Sequence, residues 1–187
     1  MASVLKVNEI QHSGGTTALT IDSSGYILQP SKPAFKATVG GSNLTPSGYS
    51  NPQVWPDVTD VSRGCHNVGN HYSTSTGKFT VPITGVYWFG LSVLMTSFGA
   101  GDRMEIGMYR SRQAESHATD YSIVYGGRNA WVSNTTGWSD QYMGNNCFVT
   151  VYCEVGDRVY SSAYKTGSTP VITTDKPWNW FAGYLIG

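Results

Sequence analysis

The stretch "GVYWFGLSVLM", residues 85–95, constrains the chain more than any other feature. Its β-branched and aromatic residues favour a strand. Read with period two, Tyr87, Phe89, Leu91 and Val93 point one way, and Val86, Trp88 and Leu94 point the other. Neither side is polar. The pattern recurs in "CFVTVYCEV", where Cys147, Val149, Val151 and Cys153 oppose Phe148, Thr150 and Tyr152. In "WNWFAGYLIG", Phe181, Gly183 and Leu185 oppose Trp180, Ala182, Tyr184 and Ile186. Strands of an antiparallel sandwich ordinarily have one apolar and one wet face. A second apolar face needs something to cover it, and the chain shows almost no helical periodicity to supply a helix. Another copy of the same chain is the most economical cover.

The rest of the chain reads as short strands separated by Gly, Asn, Ser and Asp clusters, the pattern of an all-β sandwich or barrel. Residues 1–33 form a first unit, with strand-like "LKVNEIQ", "TALTI" and "YILQ" ending at the prolines of "QPSKP". So short a piece buries no core by itself, so it packs on the domain, on other copies or on a docking partner. Residues 34–187 form the main domain. It opens with "AFKATV" and continues through the proline-rich loop "GGSNLTPSGYSNPQVWPDV". Its clearest strands are "KFTVPI" and 85–95, and "GD" at 156–157 turns the chain between two late strands. Pro82 and Gly85 place a bend between the two clearest strands.

Composition excludes several function classes. Lys and Arg balance Asp and Glu at 12 each, and only 13% of residues are charged, against about 25% in ordinary globular chains. No basic run or excess marks a nucleic-acid binder. No segment reaches the about 18 apolar residues of a membrane span, and residues 1–15 lack the apolar stretch of a secretory signal. Cys147 and Cys153 would stand ~20 Å apart in one strand at ~3.3 Å per residue, so they read as small core residues, and the three cysteines give no disulfide framework.

Cys65, His66 and His71 are close enough in sequence to suggest metal ligands, but no fourth ligand or C-x-x-C pair accompanies them, and no metal or other cofactor is assigned. GxSxG and HExxH are absent. Asp57, Asp60, Asp102, Glu105, Glu115 and Asp120 are scattered, which gives no glycosidase pair, so the chain reads as a non-enzyme. Asn43 and Asn134 head Asn-x-Thr sequons and read as loop residues. The segment 121–146, rich in Tyr, Trp, Ser, Gly and Asn, has the composition of a binding loop. Tyr125, Trp131 and Trp138 are its candidate ligand contacts, with a host-surface glycan as the ligand. The competing reading packs these aromatics within an oligomer or over the sandwich.

Four ordered blocks resemble a known family. Ala34, Phe35 and Ala37 match an Ala-Phe-x-Ala strand. Gly77, Lys78, Phe79, Pro82, Gly85, Tyr87 and Phe89 match its Gly-Lys-Phe-x-x-Pro-x-x-Gly-x-Tyr-x-Phe block. Gly156 and Asp157 match its turn, and Phe181, Gly183, Tyr184 and Leu185 match its C-terminal strand. The family is that of the complement C1q globular head and the tumour necrosis factor ligands. The resemblance implies an antiparallel jelly-roll sandwich assembled as a homotrimer. Trp88, Phe148, Tyr152, Trp180 and Tyr184 are then the expected trimer contacts. A collagen-like stem and acidic calcium loops are missing, and the match through 110–146 is loose. "LKVNEIQHSGGTTALTIDSSGYI" is similar to N-terminal segments of bacteriophage tail-fibre and other virion proteins. Together the two resemblances imply a bacteriophage virion structural protein: a tail fibre, a spike or a capsid decoration protein. It would assemble in host cytoplasm without a signal peptide and dock on other virion proteins through residues 1–33. The alternative is a non-virion C1q-like binding module or lectin.

Overall fold

The computed structural model describes residues 6–130, 142–167 and 169–187. Three strands precede the main domain: β1 (Glu9–Gln11), β2 (Thr17–Ile21) and β3 (Ile27–Leu28). Then follow β4 (Ala34–Thr38), β5 (His66–Val68), β6 (Tyr72–Ser73), β7 (Lys78–Thr80) and β8 (Gly85–Thr96). The chain continues with β9 (Arg103–Ser111), β10 (Asp120–Ala130), β11 (Met143–Cys153), β12 (Arg158–Lys165), β13 (Val171–Ile172) and β14 (Trp180–Leu185). Helix among the described residues is limited to two single 3-10 turns, Val61–Arg63 and Gln113–Glu115.

Strand order is β11-β8-β14-β4-β5 in a six-stranded sheet that also takes β13 on β8, and β10-β9-β12-β7-β6 in a five-stranded sheet. β1, β2 and β3 form a separate three-stranded sheet. Every pairing is antiparallel, and the order places sequence-distant strands side by side, as in a jelly roll. β8 and β11 pair along their whole length, from Met143 opposite Met95 to Cys153 opposite Gly85.

The core fills the space between the two large sheets. Phe35 on β4 is its hub. Its ring stacks at 4.8 Å on Tyr72 and at 4.9 Å on Phe79 from the opposite sheet, and meets Phe181 edge-on at 5.0 Å. Gly183 makes this possible: a Cβ there would stand 2.3 Å from Phe89 and 2.9 Å from Phe35. The proline-rich loop is coil, as its prolines demand, yet it carries a fully buried Trp55. The Trp55 indole N–H donates to Ser161 Oγ at 2.8 Å, and Gln53 N donates to Ser161 O at 2.7 Å. Gly77, at φ 70°, passes so close that a Cβ would lie 2.5 Å from Gln53 O.

The Gly156–Asp157 turn is held from within. The buried Asp157 carboxylate pairs with Arg110 Nε at 2.9 Å and accepts the Gln113 and Glu154 N–H groups at 2.9 and 3.0 Å. Satisfying a buried carboxylate this fully avoids the cost of an unpaired charge.

Two sequence expectations need correction. The run 121–146 is not one loop, because β10 occupies its first part and β11 begins at Met143. Tyr, Ile and Val favour a strand there despite the loop-like composition. The last strand spans Trp180–Leu185 and not the whole of "WNWFAGYLIG" to the last residue. Asn179 is buried and acts as a plug: its amide donates to Thr173 O, Thr173 Oγ1 and Asp175 O, and its Oδ1 accepts Leu94 N–H at 2.7 Å.

Two predictions follow from this packing. Gly183→Ala overpacks the Phe35–Phe89 contact and lowers stability by about 1–3 kcal/mol, measurable as a shift in urea midpoint at unchanged slope. The second concerns Lys176, whose Nζ lies 2.8 Å from both Asp57 and Asp60. Hydrogen bonding from Lys176 holds the Asp57 carboxyl at about 2, below its ordinary 3.8. The folded state therefore binds this proton more weakly than the unfolded chain does. The stabilisation is complete above 3.8 and disappears as pH falls through about 2. Asp57→Asn removes this part of the acid destabilisation, as urea midpoints followed from neutral to strongly acidic pH would show.

Candidate functional sites on the two sheet faces

The six-stranded sheet presents its outer face through alternate residues of β11, β8, β14 and β4. Tyr184 stands opposite Trp88, Phe148 opposite Gly90, and Trp180 opposite Ser92. The rings meet across these strands. Trp88 stacks on Tyr184 at 5.3 Å and on Phe148 at 5.9 Å, and Phe148 reaches Trp180 at 6.4 Å. Gly90 lies beneath them: a Cβ there would be 2.5 Å from the Trp88 ring and 3.0 Å from the Phe148 ring. A bare backbone at this point lets the indole lie across the sheet.

Four of the five expected contact residues thus form one cluster. Tyr152 is on the same face, opposite Val86, but makes none of these ring contacts. Phe148, Tyr152 and Tyr184 are 51%, 54% and 45% exposed, so the patch is uncovered. Lys36 is the one charged residue in these four strands, and its ammonium sits 5.8 Å from the Trp180 ring centre. Contiguous exposed aromatics with so little charge mark an interaction surface rather than a solvated face.

The five-stranded sheet's outer face is different. Tyr125 on β10 lies against Gly107 on β9, where a Cβ would stand 3.0 Å from its ring. It meets the buried Tyr109 edge-on at 6.1 Å. The other two expected ligand contacts, Trp131 and Trp138, lie outside the described residues, as does Asn134. Asn43 is exposed in a loop.

The cysteine and histidine residues of 65–71 do not converge. Cys65 is buried, and burial raises its thiol pKa. His66 Nδ1 is 2.9 Å from Gly64 O, and His71 packs edge-on to Phe79 at 6.3 Å, with its pKa lowered by burial. Among the described residues no three His, Cys, Asp or Glu side chains group as a metal site. The scattered carboxylates serve structure: Asp57 and Asp60 hold Lys176, Asp102 accepts Gly99 N–H, and Glu115 pairs with Arg112. No described helix is long and apolar enough to cross a membrane.

Solved structures share this architecture. The globular domain of zebrafish complement 1qA protein aligns at 18% identity and a TM-score of 0.53, covering 83% of this chain and 98% of that one. The Eiger TNF of S. frugiperda aligns at 14% identity and a TM-score of 0.56, covering 83% of this chain and 93% of that one. At such identities the likeness concerns the fold. Residues 58–186, well over half the chain, match the C1q domain. The match starts beyond β4, yet Ala34–Thr38 pairs with β14 and completes the sheet. A C1q domain match of this extent, on an all-β sandwich of this topology, places the chain in the C1q domain family.

Proposed function

We propose that the chain is a homotrimeric C1q-like binding module, held together by the outer face of its six-stranded sheet. The observation that carries this reading is the Trp88–Phe148–Trp180–Tyr184 cluster, an apolar face that its own fold leaves uncovered. Burying such a face stabilises association by roughly 25 cal/mol per Å² of apolar surface. Homotrimers are typical of this family, and a threefold arrangement covers the face of every copy with its neighbours. The five-stranded sheet, on the other side of the sandwich, then stays available for ligand.

A virion structural role is the second reading, and one feature of residues 1–33 favours the docking part of it. Ile10 pairs with Leu19 and Ile21 with Ile27, so these four side chains share one face of the small sheet. Ile10 is 46% and Ile27 66% exposed. An aliphatic face of this kind suits docking on another protein. The phage assignment itself rests on the sequence likeness of this segment alone.

Multi-angle light scattering tests the assembly. The wild type is expected to run at three times its chain mass at micromolar concentration, and a monomer there would overturn the reading. Phe148→Asp buries an unpaired carboxylate in the contact and yields a monomer of unchanged circular dichroism. Gly90→Ala is the subtler case. Its methyl group pushes the Trp88 ring off the sheet, so the trimer dissociates at higher concentration and tryptophan emission shifts, while thermal unfolding of the domain changes little.

A further inference from the structure

The five-stranded sheet carries a constellation that sequence inspection does not bring together. β9 and β10 pair with a register shift between Tyr125 and Arg128, so that Tyr125 faces Gly107 and Arg128 faces Glu105. Residues three apart in a regular strand point to opposite faces. The bulge at Gly126 and Gly127, the latter at φ 96°, turns both side chains to the same side. Neither glycine is replaceable without strain: a Cβ on Gly126 would stand 2.6 Å from Ile106, and Gly127 has a left-handed backbone.

Arg128 Nε donates to Glu105 Oε2 at 2.6 Å, and the Tyr49 hydroxyl donates to the same oxygen at 2.9 Å. Tyr49 arrives from the β4–β5 loop, held by Gly48 N–H to Ala163 O at 2.9 Å and by its ring stacked on Tyr164. Glu105 is buried, yet its Oε1 takes no hydrogen bond among the described residues. Tyr49, Glu105, Tyr125, Gly127 and Arg128 line an open groove of about 440 Å³. That volume is within the ~300–1,000 Å³ of small-molecule sites.

We infer that this groove binds a neutral pyranose ring. The inference deepens the reading of the chain as a binding module and rests on it. Tyr125 is 54% exposed and gives a flat aromatic face for the C–H face of a sugar. Glu105 Oε1 supplies a free acceptor and the half-exposed Arg128 guanidinium supplies donors, the pair needed to read two adjacent hydroxyl groups. Their charges cancel, so the groove has no net field to draw an acidic sugar over a neutral one. The five-stranded sheet is the layer opposite the aromatic assembly face, so trimerisation leaves this groove in solvent.

Calorimetric titration of the full chain with neutral methyl pyranosides and disaccharides, alongside sialylated and uronic-acid counterparts, tests it. The neutral sugars are expected to bind, and Tyr125→Ala and Glu105→Gln each weaken binding at least tenfold with the oligomer mass unchanged. Binding of acidic sugars alone overturns the inference, as does equal affinity in Tyr125→Ala. A trimer that binds no saccharide removes the sugar site and leaves the assembly reading intact. A monomer that binds neutral sugar through Tyr125 does the reverse.

Discussion

Phe35 is the contact on which both sheets close. Stacked between Tyr72 and Phe79 and edged by Phe181, it joins β4 and β14 of one sheet to β6 and β7 of the other. Aromatic pairs of this kind contribute about 0.5–1.5 kcal/mol each beyond the area they bury. The arrangement works because Gly183 leaves room for Phe89 and Phe35 at once. Fixing Phe35 inward also fixes its neighbours outward, since successive residues of a strand alternate. Lys36 on β4, and through the registers Ala182 and Gly90, are thereby committed to the outer face.

That commitment explains why β8 has no polar side. Its inner residues, Tyr87, Phe89, Leu91 and Val93, are almost fully buried within the sandwich. Its outer residue Trp88 belongs to the exposed aromatic cluster. A central strand with an apolar outer face would be a solubility liability in a protein meant to stay monomeric. The small sheet of β1, β2 and β3 repeats the theme with aliphatic residues, and its connection is pinned close by. Leu185 N–H donates to Pro33 O at 3.1 Å, and Lys32 Nζ to Ile186 O at 3.1 Å. Both bonds tie the segment to the end of β14, a strand of the six-stranded sheet.

Local alternation made the faces of β8, β11 and β14 legible from sequence, and the ordered Ala-Phe, Gly-Lys-Phe, Gly-Asp and Phe-x-Gly blocks made the fold legible. What escaped has a common physical origin in long-range contact. Trp55 sits among prolines, and contacts far along the chain, its indole bond to Ser161 and the Tyr72 hydroxyl on its backbone, make it a core residue. Asn179 looks like an ordinary polar residue before a strand, yet three carbonyl or hydroxyl acceptors converge on its amide. Composition misled at 121–130, where the Gly126–Gly127 pair resembles a loop and is in fact a bulge within a strand. The same bulge hid the Arg128–Glu105 pair, since period-two reading places Tyr125 and Arg128 on opposite sides.

The two large sheets use one local device for different ends. Gly90 lies under Trp88 and Gly107 lies under Tyr125, and in each case the missing side chain lets an aromatic ring rest across the strand. The surroundings then diverge. Trp88 is flanked by Tyr184 and Phe148, and the ring surface continues to Trp180 with one cation at its edge. A broad apolar surface of that kind is matched only by another broad apolar surface, and symmetry supplies one in every copy. Tyr125 instead meets the buried Tyr109 edge-on and shares its groove with Tyr49 and the Glu105–Arg128 pair. An exposed ring next to an acceptor and a set of donors gains little from a flat protein face, because the charged groups would lose water without full compensation. It gains most from a small partner that has an apolar face and hydroxyl groups at its edge. The two faces of the sandwich thus differ in chemistry: a broad aromatic surface on the six-stranded sheet, and an exposed ring beside a single ion pair on the five-stranded sheet.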